Sequence, residues 1–369
     1  MVRLHYLDNL RWISILVLFP THAAFVFCAG WYGYYILSDQ PSDFAHLIAV
    51  SVEPWIMPLL FVIAGMSTGL SLRKRTPAMY LKERVMRLLV PFLAGIIFVC
   101  PVIAYYALRF HTGYTGSFAE AFVHFFISIT ASPALNGITG DFSVDHLWFI
   151  IVLFVVSVLA LGVILGGRVL EFHPDPGRFT LPWLVLLCIP VWLLDFVGIN
   201  EGGYSLVAYF AIFLFGYCIF ASETVLALIE EYRVAHLAAW IALTIGVMGI
   251  GGILLDHGEV FWGTSFLHTL TGWMGVLALM GMGRHYLNRS TPLTAYLTAS
   301  SYPVYIIHQA AVVALAYYIV AVPVAPFLQY VAIVVLSLVL TFGAYEVLRR
   351  IPGIRRLMGI GGPVGKKGE

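Results

Sequence analysis

The fold predicted for this sequence is an all-α bundle that crosses a membrane many times, and three observations predict it. Apolar residues fill 61% of 369 positions and charged residues 11%, with a mean hydropathy of +0.92, which leaves too little charge to coat a water-soluble domain of this size. Apolar runs of roughly 20 residues recur between polar or Gly/Pro clusters. Charge is also sorted by side. With ten spans and both termini together, every one of the 20 Lys and Arg residues except Arg109 falls on the terminal side, so the positive-inside rule predicts that both termini are cytoplasmic.

The ten expected spans cover about residues 10–30, 45–70, 88–108, 146–165, 182–197, 204–220, 235–255, 264–283, 294–320 and 326–348. A shorter apolar run, 118–130, suits the interface or a loop. Residues 1–350 read as one transmembrane domain and 351–369 as a cytoplasmic, Gly-rich basic tail. The first apolar run is too long for a removable signal and no small-x-small site follows it. Cys28, Cys100, Cys188 and Cys218 lie inside spans at scattered spacings, so they suggest neither a disulfide framework nor a metal site. A formal net charge of +1, without a polybasic arm, points away from nucleic acid and leaves the lipid bilayer as the main partner. The Gly-rich stretch 245–254 suits close helix packing, either within the chain or between copies in a homo-oligomer.

Polar residues inside such helices carry the functional information, because an unpaired ionisable group there costs several kcal/mol. In LDNLRWISILVLFPTHAAF, Arg11 and His22 are eleven residues apart, which is three turns plus about 20°, so they share a face about 16 Å apart along the axis. This puts Arg11 at the cytoplasmic rim and His22 near mid-depth; Asp8 is spaced to pair with Arg11. Arg11 either snorkels to the headgroups or serves a ligand. His22 either bonds a neighbouring helix or does chemistry. In SSYPVYIIHQ, Ser301, Tyr305 and His308 form a polar stripe on one side of the ninth span, with His308 at a depth matching His22.

Three further clusters are candidates. FSVDHLWFI sets His146 and Trp148 at the outer mouth of the fourth span, where Asp145 and His146 do not share a helix face and Trp148 is placed to anchor the interface. Glu53, in SVEPWIMPLLFVIAGM, precedes Pro54 and Pro58, which are expected to kink or open the second span and line a cavity. SLRKRTPAMYLKERVMRLLVPF supplies cytoplasmic charge, with Arg84 and Arg87 adjacent on one helical face where forked hydrogen bonds can grip phosphate.

Taken together, Arg11 with His22, the FVIAGMSTG run, RVMRLLVP, DHLWFI and SYPVYIIHQ resemble the acyltransferase-3 family of integral membrane acyltransferases, and within it the branch that includes the glucan biosynthesis protein C type. The resemblance implies transfer of a short acyl group, acetyl or succinyl, from cytoplasmic acyl-CoA to a hydroxyl of an extracytoplasmic glycan such as a periplasmic glucan, at a bacterial inner membrane and without a metal. The family's essential Arg and His correspond to Arg11 and His22, and its basic pair to Arg84 and Arg87; the placement of the residues adds donor phosphates held by Arg84, Arg87 and Arg11, a catalytic assisting role for His308, and an acceptor path near Glu53, His146, Trp148, Ser301 and Tyr305. A thioester is already activated, so the remaining work is to deprotonate an alcohol and stabilise an oxyanion. A neutral imidazole in a partly dry cavity suits the first task. The alternative class is a proton-coupled transporter or flippase using intramembrane His and Glu with proline-broken helices.

Overall fold

Once water is withdrawn, a backbone must satisfy its own N–H and C=O groups, so long apolar runs become helices. The computed structural model describes residues 4–28, 33–130, 137–169, 180–197, 205–255 and 262–360. In order these form α1 (His5–Phe25), α2 (Asp43–Leu72), α3 (Pro77–Arg84), a π-helical turn (Val85–Leu89), α4 (Val90–Phe98), α5 (Cys100–Thr112), α6 (Phe118–Ile127), α7 (Trp148–Val169), α8 (Leu181–Leu186), α9 (Cys188–Asp195), α10 (Leu206–Cys218), α11 (Glu223–Glu231), α12 (Arg233–Leu255), α13 (Trp262–Tyr286), α14 (Pro292–Ile319), α15 (Pro326–Leu348) and α16 (Pro352–Leu357). No strand occurs among the described residues. Residues 361–369 of the expected tail lie outside them.

Among the described residues, six segments are long and apolar enough to cross a bilayer: α2, Pro77–Thr112, Asp145–Gly167, Ser265–Tyr286, α14 and α15. A seventh results if α10 and α11, which meet at 102°, form one broken span. The other expected segments are helical too, but differ in detail for identifiable reasons. The first, 10–30, becomes α1, which starts earlier and ends at Phe25; the chain then folds back so that Ser38 and Ser42 N–H groups take up the Val26 and Phe27 carbonyls at 2.7 and 2.9 Å. The segment 182–197 breaks into α8 and α9, since Pro190 has no N–H to offer the Leu186 carbonyl.

Helix α15 identifies the solvent. Its buried face carries Gln329, Ser337, Thr341 and Tyr345, whereas Phe327, Val331, Val335 and Val339 stand exposed at four-residue spacing. Apolar out and polar in is the reverse of a helix on a water-soluble core and fits hydrocarbon. This is a multi-pass membrane protein.

Packing divides the chain into two units, one of Met1–Ser14, Val50–Glu83 and Val152–Thr291, the other of Ile15–Ala49, Arg84–Ile151 and Pro292–Glu369. Segments of the two units alternate along the chain. In the first, α13 packs against α9, α11 and α12. Asn9 donates to the Leu287 and Arg289 carbonyls at 2.6 and 2.9 Å just past α13, and Arg284 holds Glu223 and Glu230. In the second, α14 packs against α4, α5 and α15. All four cysteines are unbridged.

The two prolines of α2 do not open it. The helix runs unbroken from Asp43 to Leu72 through Pro54 and Pro58, because a neighbour covers the freed group. Pro58 lacks the N–H that would bond the Pro54 carbonyl, and Gly272 of α13 lies so close to that oxygen that a Cβ would sit 2.2 Å from it. Gly272→Ala is therefore expected to lower stability by about 1–3 kcal/mol, read as a lower thermal midpoint in detergent. Gly343→Ala, whose Cβ meets nothing within 4 Å, is the control and leaves the midpoint unchanged or higher; equal midpoints for the two variants would remove the packing argument.

Candidate active site

Three histidines from three parts of the chain meet in the second unit. His22 comes from the last turn of α1, His146 from a short 3-10 turn, Asp145–Leu147, that leads into α7, and His308 from the middle of α14. The His308 ring centroid lies 5.2 Å from that of His22 and 5.1 Å from that of His146. Phe19, one turn before His22, packs on His308 at 5.4 Å. His146 and His308 are buried, whereas His22 keeps part of its surface accessible. His22 thus stands in the last turn of its helix, not midway along it as the expected 10–30 span implies.

Hydrogen bonds assign the protons. His146 Nε2 lies 2.9 Å from the Ile306 carbonyl and His308 Nδ1 lies 2.6 Å from the Tyr305 carbonyl. A carbonyl only accepts, so each of these nitrogens carries the hydrogen, and in each neutral ring the other nitrogen presents a bare lone pair. Those nitrogens, His146 Nδ1 and His308 Nε2, are buried with no hydrogen-bond partner among the described residues, as is His22 Nδ1. Buried polar atoms are nearly always satisfied. Two bare imidazole nitrogens, on His146 and His308, and a third unpartnered one on His22 thus lie in one cluster, and a bare nitrogen can accept an incoming O–H.

The rings are braced from behind. Tyr305 donates its hydroxyl to the His146 carbonyl, tying α14 to the entrance of α7. Asp145 has φ +48°, a left-handed conformation that Asp tolerates better than most residues, and Ser143 Oγ accepts its N–H at 2.9 Å. This turn directs two successive side chains inward, Asp145 and His146 both being buried. Asp145 Oδ1 accepts from the Tyr35 hydroxyl at 2.9 Å, so the two neighbours do not act as a dyad. Tyr34 stacks on His22, with centroids 6.4 Å apart and planes at 14°, and accepts a hydrogen bond from Gln309 Nε2 at 2.8 Å.

The other expected residues are distributed differently. Tyr305 does face His308, at 5.6 Å, but Ser301 returns its hydroxyl to the Thr298 carbonyl of its own helix. Trp148 is buried at 5% exposure and is not an interfacial anchor. Arg84 ends α3 while Arg87 sits in the π-helical turn. A π-turn holds more residues than 3.6, so the two are spread further around the axis than the α-helical spacing predicts. Arg11 and Glu53 belong to the first unit. There Arg11 bonds Asp8 at 3.0 Å, as its spacing predicts, and Ser67 at 3.3 Å, and Glu53 is exposed on α2. That unit also has a cavity of about 700 Å³ bordered by Met66, Leu70, Arg73, Tyr217 and Glu223, which contains none of the expected site residues.

A family model described as an acyltransferase domain, of the acyltransferase-3 type, matches residues 4–346. The chain belongs to the acyltransferase-3 family. Neither curated proteins nor solved structures give a match. Membership brings membrane acyltransferase activity, and the histidine cluster lies within the matched residues. Among the described residues of this acyltransferase-3 protein no group of three or more His, Cys, Asp or Glu is arranged to hold a metal.

Tyr34, Tyr35 and Gln309 are the site residues that sequence reasoning missed. Gln309 directly follows His308, and two adjacent tyrosines in a loop between apolar runs were the available signal. The buried Tyr35–Asp145 bond supports the turn that carries His146. Tyr35→Phe removes that donor and is expected to cost about 1–3 kcal/mol, measured by thermal unfolding in detergent; a midpoint equal to the parent would show that Asp145 does not depend on it.

Proposed function

We propose that this protein moves a short acyl group, acetyl or succinyl, from acyl-CoA at the cytoplasmic side to a hydroxyl of an extracytoplasmic glycan such as a periplasmic glucan, as in the glucan biosynthesis protein C branch. It does so as a ten-span protein of a bacterial inner membrane with both termini in the cytoplasm. One observation carries the reading: three clustered imidazole nitrogens have no hydrogen-bond partner among the described residues, and the ring with accessible surface, His22, is among them.

The reaction follows from that arrangement. The acceptor hydroxyl hydrogen-bonds to a bare nitrogen of His22, which takes the proton as the oxygen attacks the thioester carbonyl carbon. The carbonyl π pair moves to its oxygen, giving a tetrahedral oxyanion. Collapse re-forms the carbonyl and breaks the C–S bond; the departing thiolate takes the proton from the His22 imidazolium, leaving an ester and free CoA. His308, with Nε2 bare and its other nitrogen committed to a backbone carbonyl, orients His22 or the acceptor. Arg84 and Arg87 grip the phosphates of CoA.

His22→Ala is expected to lower acyl transfer by about 10²–10⁴-fold while the protein still folds. Mass spectrometry of envelope glycans from cells carrying the parent, the variant or neither reads this as loss of an acyl mass increment. A folded His22→Ala protein that acylates at the parent rate would sink the assignment.

A further inference from the structure

A site built from hydrogen-bond acceptors can take a proton from the acceptor alcohol, but the oxyanion formed opposite needs a donor. Three tyrosines surround the histidine cluster, and two have committed their hydroxyl hydrogens: Tyr35 to Asp145 and Tyr305 to the His146 carbonyl. Tyr34 has not. Its oxygen accepts from Gln309 Nε2 at 2.8 Å, and among the described residues no acceptor takes up its O–H hydrogen. An amide donating into a phenol oxygen polarises the O–H and strengthens it as a donor. The ring lies stacked on His22, and the hydroxyl end and the Gln309 side chain are buried. The loop is anchored as well, since His111 Nε2 donates to the Tyr34 backbone carbonyl at 3.1 Å. Burial pushes the Tyr34 phenol above its usual range, so its hydrogen stays in place at neutral pH.

We propose that Tyr34 is a catalytic residue of the acyl transfer, donating its O–H to the tetrahedral oxyanion beside His22, and that Gln309 is the positioning residue that holds and polarises it. This rests on the acyltransferase reading above. In the step, the C=O π pair becomes the oxyanion lone pair and is hydrogen-bonded by Tyr34, which keeps its proton throughout. The proton transferred is the alcohol's, and it passes by way of His22 to the CoA sulfur.

The experiment uses membrane vesicles from the native cells, which supply the endogenous acceptor, and radiolabelled acetyl-CoA and succinyl-CoA as probes. Tyr34→Phe is expected to lower the maximal rate about 10²–10³-fold with the KM for acyl-CoA unchanged within about threefold, the pattern of an interaction made only in the transition state. Gln309→Glu, whose carboxylate draws the phenol hydrogen to itself, is expected to lose as much, and the double variant no more than Tyr34→Phe alone. Gln309→Ala loses less, since the phenol remains free to donate. A folded Tyr34→Phe protein at the parent rate, or a double variant whose losses multiply, overturns this inference while a dead His22→Ala protein leaves the acyltransferase reading standing. Parent vesicles that transfer neither label overturn both.

Discussion

Two hydrogen bonds from imidazole N–H groups to backbone carbonyls, one made by His146 and one by His308, govern the chemistry of the site. Each spends one ring nitrogen on structure and so leaves the opposite nitrogen bare. In water that would be unremarkable, because solvent supplies donors. In a buried cluster a bare nitrogen has no donor among the described protein groups, and the desolvation it suffers on folding is recovered when an O–H reaches it. Such nitrogens favour a ligand that brings donors, and under the proposed function that ligand is the acceptor hydroxyl.

Holding those rings requires a frame that does not move, and the surrounding contacts supply it. The α14 backbone accepts from His146 at Ile306, and Tyr305 reaches back to the His146 carbonyl, so α14 and the start of α7 are stitched in both directions. A Cβ on Gly95 of α4 would fall 2.5 Å from the Leu147 side chain and 3.4 Å from that of Ile306, which brings a third helix against the same junction. The Asp145 turn presents the histidine, and Tyr35 satisfies one oxygen of the carboxylate that the turn buries. The rings are thus held by the last turn of α1, the turn that enters α7, and carbonyls midway along α14.

Much of the fold was legible in the sequence because a membrane imposes a one-dimensional rule: a segment of sufficient length and apolarity becomes a helix whatever its neighbours do. The 326–348 segment matches α15 end to end, and 294–320 matches α14 within about two residues. The failures also have local causes. Pro190 goes with a break between α8 and α9, whereas Pro54 and Pro58 leave α2 intact, with Gly272 lying against the carbonyl that Pro58 frees. One proline rule gives opposite outcomes, and the difference lies in a residue more than two hundred positions away.

The sequence by itself determined that this is a helical membrane protein carrying the motifs of the acyltransferase-3 family, and it singled out His22, His146 and His308 as candidates, since polar groups in apolar helices stand out against a uniform background. Only the tertiary structure decided that the three rings touch, which nitrogen of each buried ring is free, and that Tyr34, Tyr35 and Gln309 support them. It also showed that Trp148 is buried and that Ser301 bonds its own helix. The physical reason is that helical periodicity specifies a face, while hydrogen-bond partners are set by contacts between segments far apart in the chain, which no spacing rule encodes.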